Sequence, residues 1–269
     1  MKIGFIGGGN MAQAIIGGLL QQGQIPTEIG VVEIQPAQRE RLAALGVQTF
    51  ESIGDAFSIC EVVVLAVKPQ QLREVARMLA PHLRNTLVVS IAAGVRSSDL
   101  QRWLDGHSRI VRTMPNTPAL VGRGLTALHA MPGLGPADRE RSDRLLSAVG
   151  TTLWVEDEQR LDAVTAVSGS GPAYVFLFLE ALQRAAETLG FESDEARRLA
   201  LETCSGACLL AERGGEPFER LRAQVTSKGG TTERAIAVLE SAGVAASIVE
   251  AIQAAEARAR ELGDLLGQD

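Results

Sequence analysis

Between Val225 and Glu240 the chain reads Val-Thr-Ser-Lys-Gly-Gly-Thr-Thr-Glu-Arg-Ala-Ile-Ala-Val-Leu-Glu, with two glycines and two threonines running into an apolar-periodic segment. The periodicity predicts a helix, and the first turn of a helix leaves backbone N–H groups without intrahelical partners. With the helix dipole behind them, such donors make a small anion socket suited to a carboxylate or a phosphate. A glycine-permitted turn with a threonine cap would read the same locally, and the opposite end of the chain separates the two. There Gly7-Gly8-Gly9-Asn10-Met11-Ala12 fits G-x-G-x-x-A, directly after the apolar run Lys2–Ile6 and directly before a helical pattern. In that strand–turn–helix context Gly7 permits the tight turn, Gly9 lets a pyrophosphate approach the backbone, and Ala12 allows close helix–strand packing.

A dinucleotide held this way needs its adenosine ribose read at the end of the second strand, where the chain has Val32-Glu33-Ile34-Gln35 followed by Arg39 and Arg41. A carboxylate at Glu33 accepts two ribose hydroxyls and repels a 2′-phosphate, whereas arginines favour the phosphate or simply form a solvated helix face. The choice between NADPH and NADH stays open at this level. Three more segments stand at the ends of expected strands: Ala66-Val67-Lys68-Pro69, Ala92-Ala93-Gly94 and Met114-Pro115-Asn116-Thr117-Pro118. Their small residues let a flat nicotinamide–ribose lie against the backbone, and Asn116 and Thr117 offer hydrogen bonds. Pro and Asn also simply turn a chain, but three such loops on one sheet edge fit a cofactor groove.

His82, His107 and His129 fall at helical or strand-edge positions without a carboxylate partner in sequence. Neither a nucleophile elbow nor H-E-x-x-H occurs, so the chemistry must need little acid–base help. Hydride delivery to a protonated imine is such a reaction, since the iminium carbon is electrophilic already and the protein supplies proximity and orientation.

The elements that must position these residues follow two regimes. Lys2–Ile6, Ile29–Ile34, Glu61–Val67, Thr86–Ile91, Arg109–Thr113, Leu125–His129 and Thr151–Val155 read as strands. Helical patterns lie between them at Met11–Gln22, Ala37–Leu45, Gln70–Leu83 and Pro136–Val149. This alternation predicts an α/β fold with a doubly wound parallel sheet. Beyond residue 160 strand signals vanish, and Pro172, Gly190, Ser193, Gly214-Gly215, Pro217, Gly229-Gly230 and Gly243 punctuate a run of Ala-rich helices ending near Leu262. The expected division is a dinucleotide-binding domain over 1–160 and an all-α domain over 161–269, joined by a packed hinge near Leu161–Gly171.

At 269 residues, with 46% hydrophobic and 22% charged content, the chain has the composition of an ordinary soluble protein. A formal net charge of −6 and few aromatics argue against nucleic acid or an anionic membrane as partner. The apolar N-terminal run breaks at Gly7-Gly8-Gly9, unlike a secretion signal, and no uncharged stretch reaches the length of a membrane span. Cys60, Cys204 and Cys208 form no disulfide framework and no metal half-site with histidines, so they read as small buried thiols in a reducing cytoplasm.

The whole chain resembles the pyrroline-5-carboxylate reductases. The resemblance rests on Gly4-Phe5-Ile6-Gly7-Gly8-Gly9-Asn10-Met11, Ala66-Val67-Lys68-Pro69, Val89-Ser90-Ile91-Ala92-Ala93-Gly94-Val95, Met114-Pro115-Asn116-Thr117-Pro118, Ser168-Gly169-Ser170-Gly171-Pro172-Ala173-Tyr174 and the Thr226–Glu240 segment. It implies an N-terminal Rossmann domain and a helical domain through which two subunits intertwine, in many members within decamers. The implied reaction is reduction of L-1-pyrroline-5-carboxylate to L-proline, usually with NADPH and often with NADH. By position, Ser227, Gly229, Gly230, Thr231 and Thr232 match the substrate-carboxylate loop, Thr232 being the catalytic residue near the ring nitrogen. Ile6, Gly7, Gly8, Gly9, Asn10, Met11, Glu33, Gln35, Ala66, Val67, Lys68, Pro69, Ala92, Ala93, Gly94 and Asn116 are the expected cofactor contacts, and no metal is expected. Lys228 departs from the proline common at its position, and Glu33 from the short hydroxyl residue common in NADPH-preferring members. Two other readings are a hydroxy-acid dehydrogenase, which would want a Lys or His base on the first helix of the second domain, and a non-catalytic redox-sensing module.

Overall fold

Val62-Val63-Val64-Leu65 and Leu87-Val88-Val89 are fully buried, because central strands covered on both faces are apolar at every position. In a computed structural model, which describes residues 1–268, they lie at the middle of one eight-stranded sheet. Its strands are β1 (Ile3–Ile6), β2 (Ile29–Val32), β3 (Gln48–Phe50), β4 (Val62–Leu65), β5 (Leu87–Ser90), β6 (Ile110–Met114), β7 (Gly124–Ala130) and β8 (Gly150–Trp154). The spatial order is β3-β2-β1-β4-β5-β6-β7-β8. Strand order therefore reverses between β1 and β4, the place where a doubly wound sheet opens a crevice at its carboxyl edge.

The sheet is mixed rather than parallel throughout. β1 to β6 run parallel, β7 is antiparallel to β6, and β8 is parallel to β7. A parallel return needs a crossover of a dozen or more residues, and the 115–123 connection is too short for one. The three-residue β3 escapes sequence reading because Gln48-Thr49-Phe50 has neither length nor alternation, and it is an edge strand.

Helices α1 (Asn10–Gln21), α2 (Pro36–Ala43), α3 (Pro69–Leu79), α4 (Ser97–Trp103), α5 (Pro136–Leu146) and α6 (Arg160–Val164) belong with the sheet. Ile15, Ile16 and Leu19 of α1 and Leu145 and Leu146 of α5 cover one face, against Ile3, Phe5, Val62 and Val64. Leu72, Ala76 and Leu79 of α3 and Leu100 and Trp103 of α4 cover the other, against Ile6, Val63, Leu65 and Val88. The odd–even split along β1 and β4 is the strand's period of two made visible.

After α6 the chain tightens into a π-helical turn at Thr165–Gly169 and continues as α7 (Gly171–Thr188), α8 (Ser193–Gly214), α9 (Phe218–Gln224), α10 (Thr231–Ser241) and α11 (Val244–Leu266). Two compact units result: Met1–Ser170 together with the chain from Ala255 onward, and Gly171–Ala254. In the second unit α7 packs on α8. Gly190, Gly215 and Gly243 sit at φ +96°, +62° and +70°, ending three helices where a side chain would be strained. A reciprocal pair between Glu192 and Glu195 caps the start of α8.

The last turns of α11 belong to the first unit and run past the expected stop at Leu262. A Cβ at Gly263 would lie 2.9 Å from Nη2 of Arg96, so glycine there lets the helix lie on that guanidinium. By length and mean hydropathy the helical stretch Arg160–Thr188 is long and apolar enough to cross a membrane, although it carries charged residues. On α7 the side chains of Val175, Phe176, Leu177 and Phe178 are exposed in the single chain.

Candidate functional site

The turn after β1 is built for close approach. Gly7 sits at φ +100°, and a Cβ on it would lie 2.7 Å from the carbonyl oxygen of Ala66, so only glycine fits. Its N–H donates to Val32 O at 2.8 Å, tying the turn to β2. Gly9 is the N-cap of α1, with no side chain capping the helix and no acidic residue in the first turn. A Cβ built on Gly9 would meet no atom within 4 Å. The first intrahelical bond runs from Gln13 N to Gly9 O, so the N–H groups of Asn10, Met11 and Ala12 precede it and face the space above Gly9. Open space, unopposed donors and a helix dipole fit a pyrophosphate.

Strand register brings the other expected contacts to the same edge. Ile6 pairs with Val32 on one side and Leu65 on the other, and Leu65 pairs with Ser90. Hydrogen bonds extend this alignment beyond the strands, from Ala66 N to Ile6 O at 2.8 Å and from Ile91 N to Leu65 O at 3.1 Å. Gly7 to Met11, Ala66 to Pro69 and Ala92 to Gly94 therefore follow neighbouring strand ends. Lys68 and Ala93 are exposed, Ala66, Val67 and Gly94 are half-buried, and Ala92 is buried.

Glu33 stands just beyond β2. Its Oε2 accepts the Gly8 N–H at 2.9 Å and its Oε1 accepts the Gln35 N–H at 2.8 Å. Asn116 is anchored inside its own unit: its amide nitrogen donates to Ser168 Oγ at 3.0 Å, and its Oδ1 accepts the Leu125 N–H at 2.9 Å. It thereby ties the π-helical segment to the end of β6. In the same region a Cβ on Gly169 would lie within 2.4 Å of the Met114 methyl.

One cluster escaped sequence reading. Arg112 of β6 is buried and pairs with Glu158 at 3.0 Å and Asp162 at 3.5 Å, while Asp162 also pairs with Arg96 at 2.7 Å. Glu158 further accepts Ser97 N–H at 2.7 Å and Ser97 Oγ–H at 3.0 Å. Burial pushes the Glu158 carboxyl up, but the Ser97 bonds and the Arg112 charge outweigh it and hold the group below its ordinary value. The only linear hint was an arginine inside an apolar strand, which as a buried cation demands partners.

In the helical unit the glycines of the Ser227–Thr232 loop lead directly into α10. Gly229 takes φ +73°, Gly230 is the N-cap of α10, and no side chain caps at that position. A Cβ on Gly230 would fall 2.5 Å from Ser227 Oγ. Two of the loop's backbone donors are engaged locally, Gly230 N with Ser227 O at 3.0 Å and Gly229 N with Glu233 Oε2 at 2.7 Å. The first helical bond is Arg234 N to Gly230 O, so the N–H groups of Thr231 and Thr232 lie before it. Ser227, Lys228, Gly229 and Thr231 are exposed and Thr232 is half-buried. Glu233 was not singled out from sequence, although its place three residues after the N-cap is where a capping acid belongs.

The histidines lie elsewhere. His107 Nε2 bonds Thr86 O at 2.8 Å, and burial lowers its pKa; His129 Nδ1 bonds Val155 O at 3.2 Å. Cys60 and Cys204 are half-buried and Cys208 is exposed, less enclosed than expected because the α8 face carrying the last two is open in a single chain. Burial pushes the Cys60 thiol up to about 11. Among the described residues no group of three or more His, Cys, Asp or Glu is placed to hold a metal.

Comparisons with known proteins bear on the chain as a whole. A family model described as pyrroline-5-carboxylate reductase dimerisation matches residues 158–262, and one described as NADP oxidoreductase, coenzyme F420-dependent, matches residues 2–94. The chain is 44% identical over 269 residues to a pyrroline-5-carboxylate reductase of Pseudomonas aeruginosa, covering 99% of this chain and 98% of that protein. With the Pisum sativum enzyme of that name identity is 37% over 262 residues, covering 97% and 95%. A solved pyrroline-5-carboxylate reductase from Coxiella burnetii has a TM-score of 0.92 at 41% identity, covering 97% of this chain and 98% of that one. The Plasmodium falciparum pyrroline carboxylate reductase, solved with NADP bound, has a TM-score of 0.86 at 26% identity and 98% coverage of both chains. A prephenate dehydrogenase from Aquifex aeolicus, at 17% identity and a TM-score of 0.54, shares the fold alone. Because the likeness at 37–44% identity spans nearly the whole chain, the chain belongs to the pyrroline-5-carboxylate reductase family.

Proposed function

We propose that the chain reduces L-1-pyrroline-5-carboxylate to L-proline, with NADPH or NADH as reductant. The observation that carries this reading is the Ser227–Thr232 loop at the start of α10, whose backbone donors suit a carboxylate, on a chain that also has the glycine cradle after β1. Bound NAD(P)H supplies a hydride. The protein's part is to hold and orient. Asn10, Met11 and Ala12 N–H groups face the pyrophosphate, and the small residues at Ala66 and Ala92–Gly94 leave room along the strand ends. Thr231 and Thr232 N–H groups hold the substrate's acid, and the Thr232 hydroxyl orients the ring nitrogen. No histidine is needed, because the protonated C=N carbon accepts hydride unaided.

Residues 1–160 serve as the nucleotide-binding domain in this proposal, and 161–269 as the substrate and dimerisation domain. An intertwined homodimer, assembling as far as a decamer, covers the exposed Val175–Phe178 stretch of α7; the matched dimerisation family supports self-association. A cytoplasmic setting fits three cysteines free of disulfides. The hydroxy-acid dehydrogenase reading is weakened by α7, whose one cation, Arg184, is paired with Glu180 at 3.0 Å. Following nicotinamide absorbance with pyrroline-5-carboxylate tests the proposal. Substrate-dependent oxidation giving proline supports it, and none with either reductant overturns it.

A further inference from the structure

The structure separates signals that conflict in the sequence, the acid Glu33 against Arg39 and Arg41; Arg41 is exposed on α2, two residues on from Arg39 and so on a different face of that helix. Arg39 is committed elsewhere. Its Nη1 donates to the backbone carbonyls of Glu33 at 2.9 Å and Ile34 at 3.0 Å, and its Nη2 pairs with the Glu51 carboxylate. With only 17% of its side chain exposed, it is a strut between the end of β2 and the residue just after β3. Glu33 is held in the opposite sense. Both carboxylate oxygens accept backbone N–H bonds, one from Gly8 within the glycine turn and one from Gln35. The Gly8 bond fixes the acid beside the turn that takes the pyrophosphate, which is the position from which the end of the second strand reads the adenosine ribose. Each oxygen keeps a further lone pair for a ribose hydroxyl.

A carboxylate anchored in this way cannot swing away without giving up its part-buried bond to the Gly8 N–H. A 2′-phosphate arriving there, with its charge near −2, would face a fixed negative charge, while the nearby guanidinium is already neutralised by Glu51. We infer that this chain binds NADH in preference to NADPH, Glu33 being the residue that admits the free 2′-hydroxyl and rejects the 2′-phosphate. The inference rests on the dinucleotide reading of the cradle and goes beyond the proposed reaction.

Direct binding decides it. NADH and NADPH are titrated separately into the purified protein, followed by nicotinamide fluorescence, and kcat/KM is then measured for each with pyrroline-5-carboxylate. NADH is expected to bind at least about tenfold more tightly than NADPH, and Glu33→Gln to close most of that gap by gaining affinity for NADPH. Glu33→Ser provides the same readout if the amide variant does not fold. Equal or tighter binding of NADPH by the unsubstituted protein, or an unchanged ratio in both variants, overturns the inference. A clear NADH preference in binding without turnover of pyrroline-5-carboxylate upholds it while removing the proposed reaction. Failure to bind either dinucleotide removes both.

Discussion

The carboxylate of Glu233 accepts the N–H of Gly229 at 2.7 Å, so the loop proposed to hold a substrate's acid already carries an acid of its own. Glu233 lies in the first turn of α10, where a negative charge satisfies an orphan donor and complements the helix dipole. A substrate carboxylate held by the Thr231 and Thr232 N–H groups must sit beside this like charge, which opposes its binding.

Replacing Glu233 with Ala is accordingly expected to lower the apparent KM for pyrroline-5-carboxylate several-fold while costing about 1 kcal/mol of stability through the lost cap. Steady-state kinetics and thermal unfolding on the same preparation check both halves. A raised KM would show that Glu233 helps to hold the loop in its binding shape instead.

Thr232→Ala should reduce kcat by about tenfold to a hundredfold, the range for losing one positioned hydrogen bond to a reacting group. Cofactor affinity should stay the same, since Thr232 belongs to the helical unit and the glycine turn to the other. A collapse of NADH binding in the titration would contradict this role for Thr232.

At Gly7 even alanine is excluded on two counts, φ +100° and a Cβ placed 2.7 Å from Ala66 O. Gly7→Ala should cost about 1–3 kcal/mol in backbone strain and weaken dinucleotide binding at least tenfold by displacing the turn. Gly9→Ala, where nothing lies within 4 Å, should leave stability nearly unchanged and affect binding alone. Denaturant unfolding beside fluorescence titration separates the two variants, and equal stability losses would refute the distinction.

Glu158 ties the pH dependence of stability to the Arg112 cluster. Its folded-state pKa is below the ordinary 4.5, so its ionised form stabilises the fold above that pH. The contribution is lost as pH falls below 4.5 through the depressed value. Glu158→Gln should cost about 1–3 kcal/mol at neutral pH, and the gap to the unsubstituted protein should narrow as the solution is acidified below 4.5. Parallel unfolding curves at several pH values measure this. A gap independent of pH would mean that the loss is one of packing.

Much of this protein is written locally. G-x-G-x-x-A after a strand gives the glycine turn because Gly7 alone tolerates its φ, and the helix stops at Gly190, Gly215 and Gly243 follow from the same freedom of backbone. Central strands announce themselves as apolar runs since both faces are covered, and Gly229-Gly230 followed by threonines marks a helix start. These are properties of a residue and its near neighbours, so they survive in the linear chain.

Tertiary structure decided what depends on distant partners. The reversed direction of β7 follows from a connection too short to cross over, and β3 exists only because β2 offers it an edge. Whether Arg39 or Glu33 faces the nucleotide turned on Glu51, twelve residues further on, which neutralises the arginine, and on Gly8, which anchors the acid. Arg112 is tolerable inside an apolar strand only because Glu158 and Asp162 return to it from beyond β8. Charge pairing and strand direction are set through space, and no local pattern encodes which partner arrives.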